Sequence, residues 1–296
     1  MQTDVVPRRD PERIKADDRG GLDAGPPLRV YWFKKRPNFG DILSPRICAT
    51  LSGRQVEYCD DFSRCELVAI GSVVQHIDAK TFTGFVWGAG LISQPPAPVI
   101  FDKGCIRAVR GRLTAKALGV EGKVPLGDPG LLASRYARPT DKQPVIGLVP
   151  HFVDRDEPLI RRLAAKPNMV LIDIESGIEN VIDQISRCEG IVSSGLHALV
   201  LADALGIPNA WMRLSDRVIG EGFKFRDYYS VFGIEKPRPL WPGFPSWTLA
   251  NEHRWPPAHS LPSAPPPRSN GFSSFFEDCC LGSRACLGSW PIGRPV

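Results

Sequence analysis

From Leu28 to Arg213, short apolar runs alternate with amphipathic stretches, and this alternation constrains the fold more than any other feature of the chain. Leu28-Arg-Val-Tyr-Trp-Phe33, Glu66-Leu-Val-Ala-Ile70, Gly84-Phe-Val-Trp-Gly88 and Ile106-Arg-Ala-Val-Arg110 read as strands. Val145-Ile-Gly-Leu-Val149, Met169-Val-Leu-Ile-Asp-Ile174, Gly190-Ile-Val-Ser193 and Asn209-Ala-Trp-Met-Arg213 continue the series. Helical spacing covers residues 41–51, 111–118, 157–165, 178–188 and 196–205 between them. Short continuous apolar strands separated by helices call for parallel sheets covered on both faces. The polar, proline-bearing stretch Tyr136–Pro144 is the best boundary between domains. The expected architecture is α/β, with two Rossmann-like domains facing across a cleft, over residues 28–138 and 139–236. A disordered arm at 1–27 and a proline-rich disordered tail at 237–296 are expected to flank them.

Composition narrows the function classes. A hydrophobic content of 43% can build a core, and a net charge of +5 over 296 residues is mild. That charge suits an anionic ligand or an anionic membrane surface, and no basic stripe interleaved with aromatics points to nucleic acid. The apolar runs are too short to span a bilayer, and the first residues lack the apolar core of a signal peptide. A cytoplasmic protein is expected. The eight cysteines form no CxxC pair or zinc-type cluster, so reduced, mostly buried thiols and no metal site are expected.

Open α/β sheets bind ligands beyond the carboxyl ends of their strands. The loops after Phe33, Trp87, Val109 and Val192 therefore hold the candidates. Ile191-Val-Ser-Ser-Gly-Leu-His197 reads as a strand, a turn and a helix start. The first amides of a helix lack intrahelical partners and the dipole there favours an anion, so Ser193, Ser194 and Gly195 prepare a phosphate or carboxylate site. His197 stands at its edge as a proton carrier, although a lone histidine at a helix start also serves simply as a packed, hydrogen-bonded residue. In Asn38-Phe-Gly-Asp41, Gly40 permits a tight turn and Asp41 either caps the helix or faces the cleft. Arg110, at a strand's carboxyl end, is placed better for the cleft than Arg107, and its fork suits carboxylate or phosphate. Asp128, in Gly127-Asp-Pro129, reads as a turn-former. Lys224, in Glu221-Gly-Phe-Lys-Phe-Arg-Asp-Tyr-Tyr229, is a second candidate to close over an anion; the alternative is an amphipathic surface helix.

Together these pieces resemble the polysaccharide pyruvyl transferase family, over about residues 28–233. The resemblance rests on Asn38-x-Gly-Asp41, Gly88-x-Gly90, Val109-Arg-Gly111, Gly127-Asp-Pro129 and Ser193-Ser-x-Leu-His197, followed by Gly206-x-Pro208 and Phe225-x-Asp-Tyr-Tyr229. It implies a fold like the GT-B glycosyltransferases and a reaction that places pyruvate from phosphoenolpyruvate on a saccharide as a ketal, in exopolysaccharide or cell-surface glycan biosynthesis. No cofactor is implied, since phosphoenolpyruvate is a substrate. His197 is then the general acid/base. Arg110, Lys224 and the Ser193–Gly195 turn hold the donor, and Asp41 orients or deprotonates the acceptor hydroxyl. Asn38, Gly40, Gly88, Gly90 and Asp128 are acceptor-side or structural residues. A lipid-linked acceptor would place the protein at the inner face of the membrane. Gly195 stands where the family frequently has arginine. Either another base substitutes (Arg110, Arg213 or Lys224), or donor affinity is reduced, or the chain is an inactive saccharide- or partner-binding homologue. A GT-B glycosyltransferase using a nucleotide-sugar is the competing enzymatic reading.

Overall fold

A computed structural model describes residues 13–14 and 25–241, apart from Pro37, Pro98 and Ile100. Strands β1 (Arg13–Ile14), β2 (Leu28–Tyr31), β3 (Val56–Tyr58), β4 (Leu67–Val68), β5 (Phe85–Trp87) and β6 (Ile106–Ala108) form one sheet in the order β1-β3-β2-β4-β5-β6. All its pairings are parallel except β1 with β3. Helix α1 (Phe39–Ser52) starts on Asn38, whose side chain accepts the Asp41 N–H, and stops at Gly53 in the left-handed region (φ 64°). Helix α2 (Arg112–Ala117) follows β6. The strands expected here are present, each trimmed at its ends. Strand β3 was not expected: only Val56 of its three residues is buried, too little to register as an apolar run.

The chain reaches the second sheet after Tyr136. Strands β7 (Gln143–Val149), β8 (Met169–Leu171), β9 (Cys188–Ser193) and β10 (Asn209–Trp211) pair in parallel in the order β10-β9-β7-β8. Helices α3 (Pro158–Ala164), α4 (Ile178–Arg187) and α5 (Leu196–Ala204) alternate with them, and α6 (Phe223–Tyr229) comes last. Helix α5 is apolar almost all round, as suits a helix enclosed on every side.

The two sheets share apolar packing. Leu43 and Ile47 of α1 belong to one buried cluster with Val181, Ile185, Ala198 and Leu201 of α4 and α5. Helix α6 then crosses back to the first sheet. Asp227 accepts hydrogen bonds from the Thr114 amide (2.8 Å) and hydroxyl (2.6 Å), and the Arg112 N–H donates to Ser230 Oγ (2.9 Å). A Cβ on Gly111 would lie 1.8 Å from the Asp227 carbonyl oxygen, so only glycine permits this docking.

Two expectations about the termini need correction. Arg13–Ile14, inside the arm expected to be disordered, pairs with Val56 and Glu57 at the sheet edge. Leu240, inside the expected tail, donates to the Trp211 carbonyl (2.8 Å) and accepts from the Arg213 N–H (3.0 Å). Backbone pairing needs no apolar period, which is why hydropathy alone missed both. The rest of the arm to residue 24 and of the tail from residue 242 lies outside the described residues. The five described cysteines, Cys48, Cys59, Cys65, Cys105 and Cys188, are buried free thiols.

Candidate active site

A cavity of about 260 Å³ opens where the carboxyl ends of both sheets meet. Its wall includes Asn38 and Asp41 from the start of α1, Ser72 beyond β4, His151 beyond β7, the β9–α5 turn with His197, and Lys224 on α6. Strand ends from both halves of the chain thus converge on one volume, as the parallel topology requires.

His197 occupies the first turn of α5, and its position is set by the first half of the chain. A Cβ on Gly40 would fall 2.0 Å from the imidazole, so the bare backbone of Gly40 is the floor on which the ring rests. His197 Nδ1 lies 3.1 Å from Asn38 Oδ1. That oxygen already accepts the Asp41 N–H (3.3 Å), and the Asn38 amide nitrogen donates to Asp41 Oδ2. Asn38 therefore presents an acceptor to the ring, so Nδ1 carries the proton and Nε2 is left as the base. Asn38, expected to be an acceptor-side or structural residue, thus caps a helix and fixes a tautomer at once. Of the two alternatives for Asp41, capping falls to Asn38 instead; Asp41 lies in the first turn of α1, is held by Asn38 and lines the cavity.

The charges of the site are held in unusual states by burial. The Asp41 carboxyl is pushed up to about 7, although the Asn38 hydrogen bond and the Lys224 charge pull the other way. Burial, helped by Lys224, Arg110 and His151, holds the His197 imidazole down at about 3. Burial and the neighbouring Arg110 bring Lys224 down to about 8, against the pull of Asp41 and Asp154. Lys224 is only 8% exposed, and its ammonium makes no hydrogen bond or salt bridge among the described residues. Beyond those two carboxylates and the Phe225 ring, 5.6 Å from the ammonium, nothing among the described residues offsets the cost of burying this charge, and an anion in the cavity would relieve it. The same anion would raise the affinity of His197 for a proton.

The expected role of Arg110 is revised. It does sit at the end of β6, but its guanidinium is fully buried and outside the cavity wall. It donates to Asp227 Oδ2 (3.0 Å), Ser72 Oγ (2.6 Å) and the Leu91 carbonyl (2.6 Å). Gly90 makes this possible, since a Cβ there would lie 2.4 Å from the guanidinium carbon. The place of Arg110 at the carboxyl end of the strand is as expected, but the missing side chain at Gly90 lets the arginine tuck beneath the site. Its reach into the cavity is through Ser72.

The Ser193–Gly195 turn also differs in detail from its expected use. Ser193 Oγ donates to the Val149 carbonyl (2.6 Å) and accepts the Gly195 N–H (2.9 Å), so that amide is spoken for. Ser194 is buried, accepts the His151 N–H (2.9 Å) and faces a second, separate cavity of about 490 Å³ beside Arg213. The amides left for an anion are those of Leu196, His197 and Ala198, in the first turn of α5, and no side chain caps them among the described residues. Asp128 caps the turn after Pro129 by accepting the Gly130 N–H (2.8 Å) and lies outside the cavity. Gly88 (φ 84°) presses against Pro129, where a Cβ would come within 2.2 Å. These two are structural.

Sequence reasoning missed His151 and His76, both in the cavity wall. The available signal for His151 was its place directly beyond β7, in a loop of the same kind as those chosen. His76 lies beyond β4 with Nδ1 at 3.1 Å from the Tyr31 hydroxyl, and only the fold brings that pair together.

Comparison with known proteins bears on this geometry. The polysaccharide pyruvyl transferase family model matches residues 38–216. An uncharacterized protein, L143, of Acanthamoeba polyphaga mimivirus is 32% identical over 226 residues, covering 71% of this chain and 76% of its own. The succinoglycan biosynthesis protein ExoV of Rhizobium meliloti (strain 1021) is 27% identical over 217 residues, covering 70% of this chain and 66% of its own. No solved structure gives a significant match. Among the described residues, no helix is long and apolar enough to cross a membrane.

Proposed function

Because the chain belongs to the polysaccharide pyruvyl transferase family, we propose that it moves the pyruvyl group of phosphoenolpyruvate onto a saccharide, closing a ketal across two hydroxyls. The relative whose name places it in succinoglycan biosynthesis supports an exopolysaccharide or other cell-surface glycan as the setting. The observation that carries the reading is Lys224, a buried cation with no hydrogen bond or salt bridge among the described residues, in the same cavity as the open amides of α5 and a histidine of fixed tautomer.

The chemistry follows from those groups. The donor is a small dianion or trianion with a carboxylate and a phosphate, matched by Lys224 and the helix amides. His197 Nε2, a free base in the empty site, accepts the proton of the first hydroxyl as its oxygen bonds to C2 of the donor. In the same step the electron pair of the C2–C3 double bond takes up a proton at C3, which becomes the methyl group, so no charge is left on C3. The second hydroxyl attacks C2, the bond from C2 to the phosphate oxygen breaks, and the hydroxyl proton leaves with the phosphate by way of Asp41. Lys224 and the α5 amides hold the negative charge that gathers on the departing group. Lys224 takes the place of the family's arginine at position 195. Arg110 and Arg213 do not, since the first is enclosed and the second is paired with Asp216 beside the other cavity.

The test is incubation with a saccharide acceptor and either phosphoenolpyruvate labelled in its carbon skeleton or labelled nucleotide-sugars. Label from phosphoenolpyruvate alone is expected to enter the saccharide. Label from a nucleotide-sugar alone would overturn the reading in favour of glycosyl transfer.

A further inference from the structure

We propose that His151 is a second donor-binding residue of the site, presenting its Nε2–H to an oxygen of phosphoenolpyruvate as a neutral hydrogen-bond donor opposite the basic nitrogen of His197. The inference rests on the pyruvyl-transfer reading above.

The geometry fixes the ring on every side but one. The His151 backbone N–H is taken by Ser194 Oγ (2.9 Å), which anchors the residue to the β9–α5 turn. Its ring packs at a tilt against Phe152, with centroids 4.3 Å apart and planes at 32°. Arg36 packs over Phe152 in turn, at 4.3 Å from its centroid. The Val153 N–H donates to His151 Nδ1 (3.4 Å), so Nδ1 is an acceptor and the neutral ring must carry its proton on Nε2. Nε2 has no hydrogen-bond partner among the described residues, and the ring forms part of the cavity wall. His197 has the reverse arrangement, with its proton on Nδ1 against Asn38. One cavity therefore holds two imidazoles of opposite tautomer, one a base and one a donor.

That division suits the reaction. Asn38 and Val153, which line the cavity beside the two rings, set the tautomers through the protein's own groups, so both tautomers are in place before the donor arrives. A neutral N–H donates to a phosphate or carboxylate oxygen without bringing a further charge beside Lys224. Burial and the nearby Lys224 and Arg36 charges keep the ring neutral, with the imidazole held down at about 3. The same device, a neutral histidine used as a hydrogen-bond donor, is a known solution where a site must not become more positive.

Two measurements on the full chain test this. In nitrogen-detected NMR of histidine-labelled protein near neutral pH, His151 is expected to show the Nε2–H tautomer and His197 the Nδ1–H tautomer. His151→Phe keeps a ring against Phe152 but removes the donor, and calorimetry with phosphoenolpyruvate is expected to show binding weakened roughly tenfold or more. His151→Gln, which restores an N–H, is expected to recover part of that loss. Wild type that binds phosphoenolpyruvate, with His151→Phe binding it equally well or His151 protonated on Nδ1, overturns the role of His151 alone. Wild type that does not bind phosphoenolpyruvate overturns the pyruvyl-transfer reading and this role with it.

Discussion

Replacing Lys224 with methionine should stabilise the empty protein and cripple it at the same time. The ammonium is buried to 8% exposure without a hydrogen-bond partner, and its surroundings bring it from an ordinary 10.5 down to about 8. That displacement corresponds to about 3 kcal/mol of destabilisation carried by the charged form in the folded state. The sign follows from proton counting. Below about 8 the lysine is protonated in both folded and unfolded chains, and the full penalty applies. Between about 8 and 10.5 the unfolded chain holds the proton more often than the folded one, so wild-type stability rises relative to the variant. Lys224→Met fills similar volume with an apolar side chain and removes the penalty at every pH. Urea denaturation near neutral pH should therefore show the variant more stable by up to about 3 kcal/mol, and the gap should close above the unfolded lysine's pKa. With phosphoenolpyruvate present the order should change. A ligand at about a hundred times its dissociation constant stabilises wild type by about 2.7 kcal/mol. The variant, having lost a charged hydrogen bond, should bind roughly 10–100-fold more weakly and gain far less. A variant that is less stable when empty, and that still takes up phosphoenolpyruvate like wild type, would refute the idea that Lys224 waits for an anion.

Further predictions concern its neighbours. At Gly195, φ of −109° is ordinary and a Cβ meets nothing closer than 3.6 Å, so Gly195→Arg should fold normally and tighten phosphoenolpyruvate binding about tenfold by calorimetry. Unchanged or weaker binding would mean that this turn does not face the donor. Arg110→Met should cost about 3–5 kcal/mol in urea denaturation, because it strands Asp227 in the interior; unchanged stability with lost affinity would restore the arginine to the donor site. His197→Ala should lower turnover by roughly 10²–10⁴ while donor binding persists. Asp41 is expected to act as a base, so turnover should rise with pH through about 7 and lose that rise in Asp41→Asn. A pH profile identical in wild type and variant would exclude Asp41 from proton transfer.

The alternation of apolar runs foretold most strands and helices, because burial on both faces leaves a continuous hydrophobic signature. It failed for β1 and β3 and for the Leu240 pairing, where backbone hydrogen bonds form the element with little help from side chains. At the site, His197, Asp41 and Lys224 could be found from motif and strand-end position, and all three line the cavity. The arginine could not. Whether Arg110 enters the cavity or lies beneath it depends on Gly90 and Asp227, far apart in the chain and joined only by the docking of α6. The tautomer of His197 was equally hidden, since Asn38 is 159 positions away.

The crossing of α6 has a consequence for how this chemistry can be divided or inherited. Lys224 sits on the helix that Asp227 pins to the opposite half, and His197 rests on Gly40, which also belongs to that half. Neither half owns a finished site. The reactive centre is a seam, closed only when both parts have come together correctly. A lesion that loosens the Thr114–Asp227 clasp would therefore shift Lys224 in the cavity wall, with every cavity residue itself intact. Sequence change in this chain cannot be sorted into harmless scaffold and essential site by distance from the cavity, because part of the scaffold is the fastening of the site.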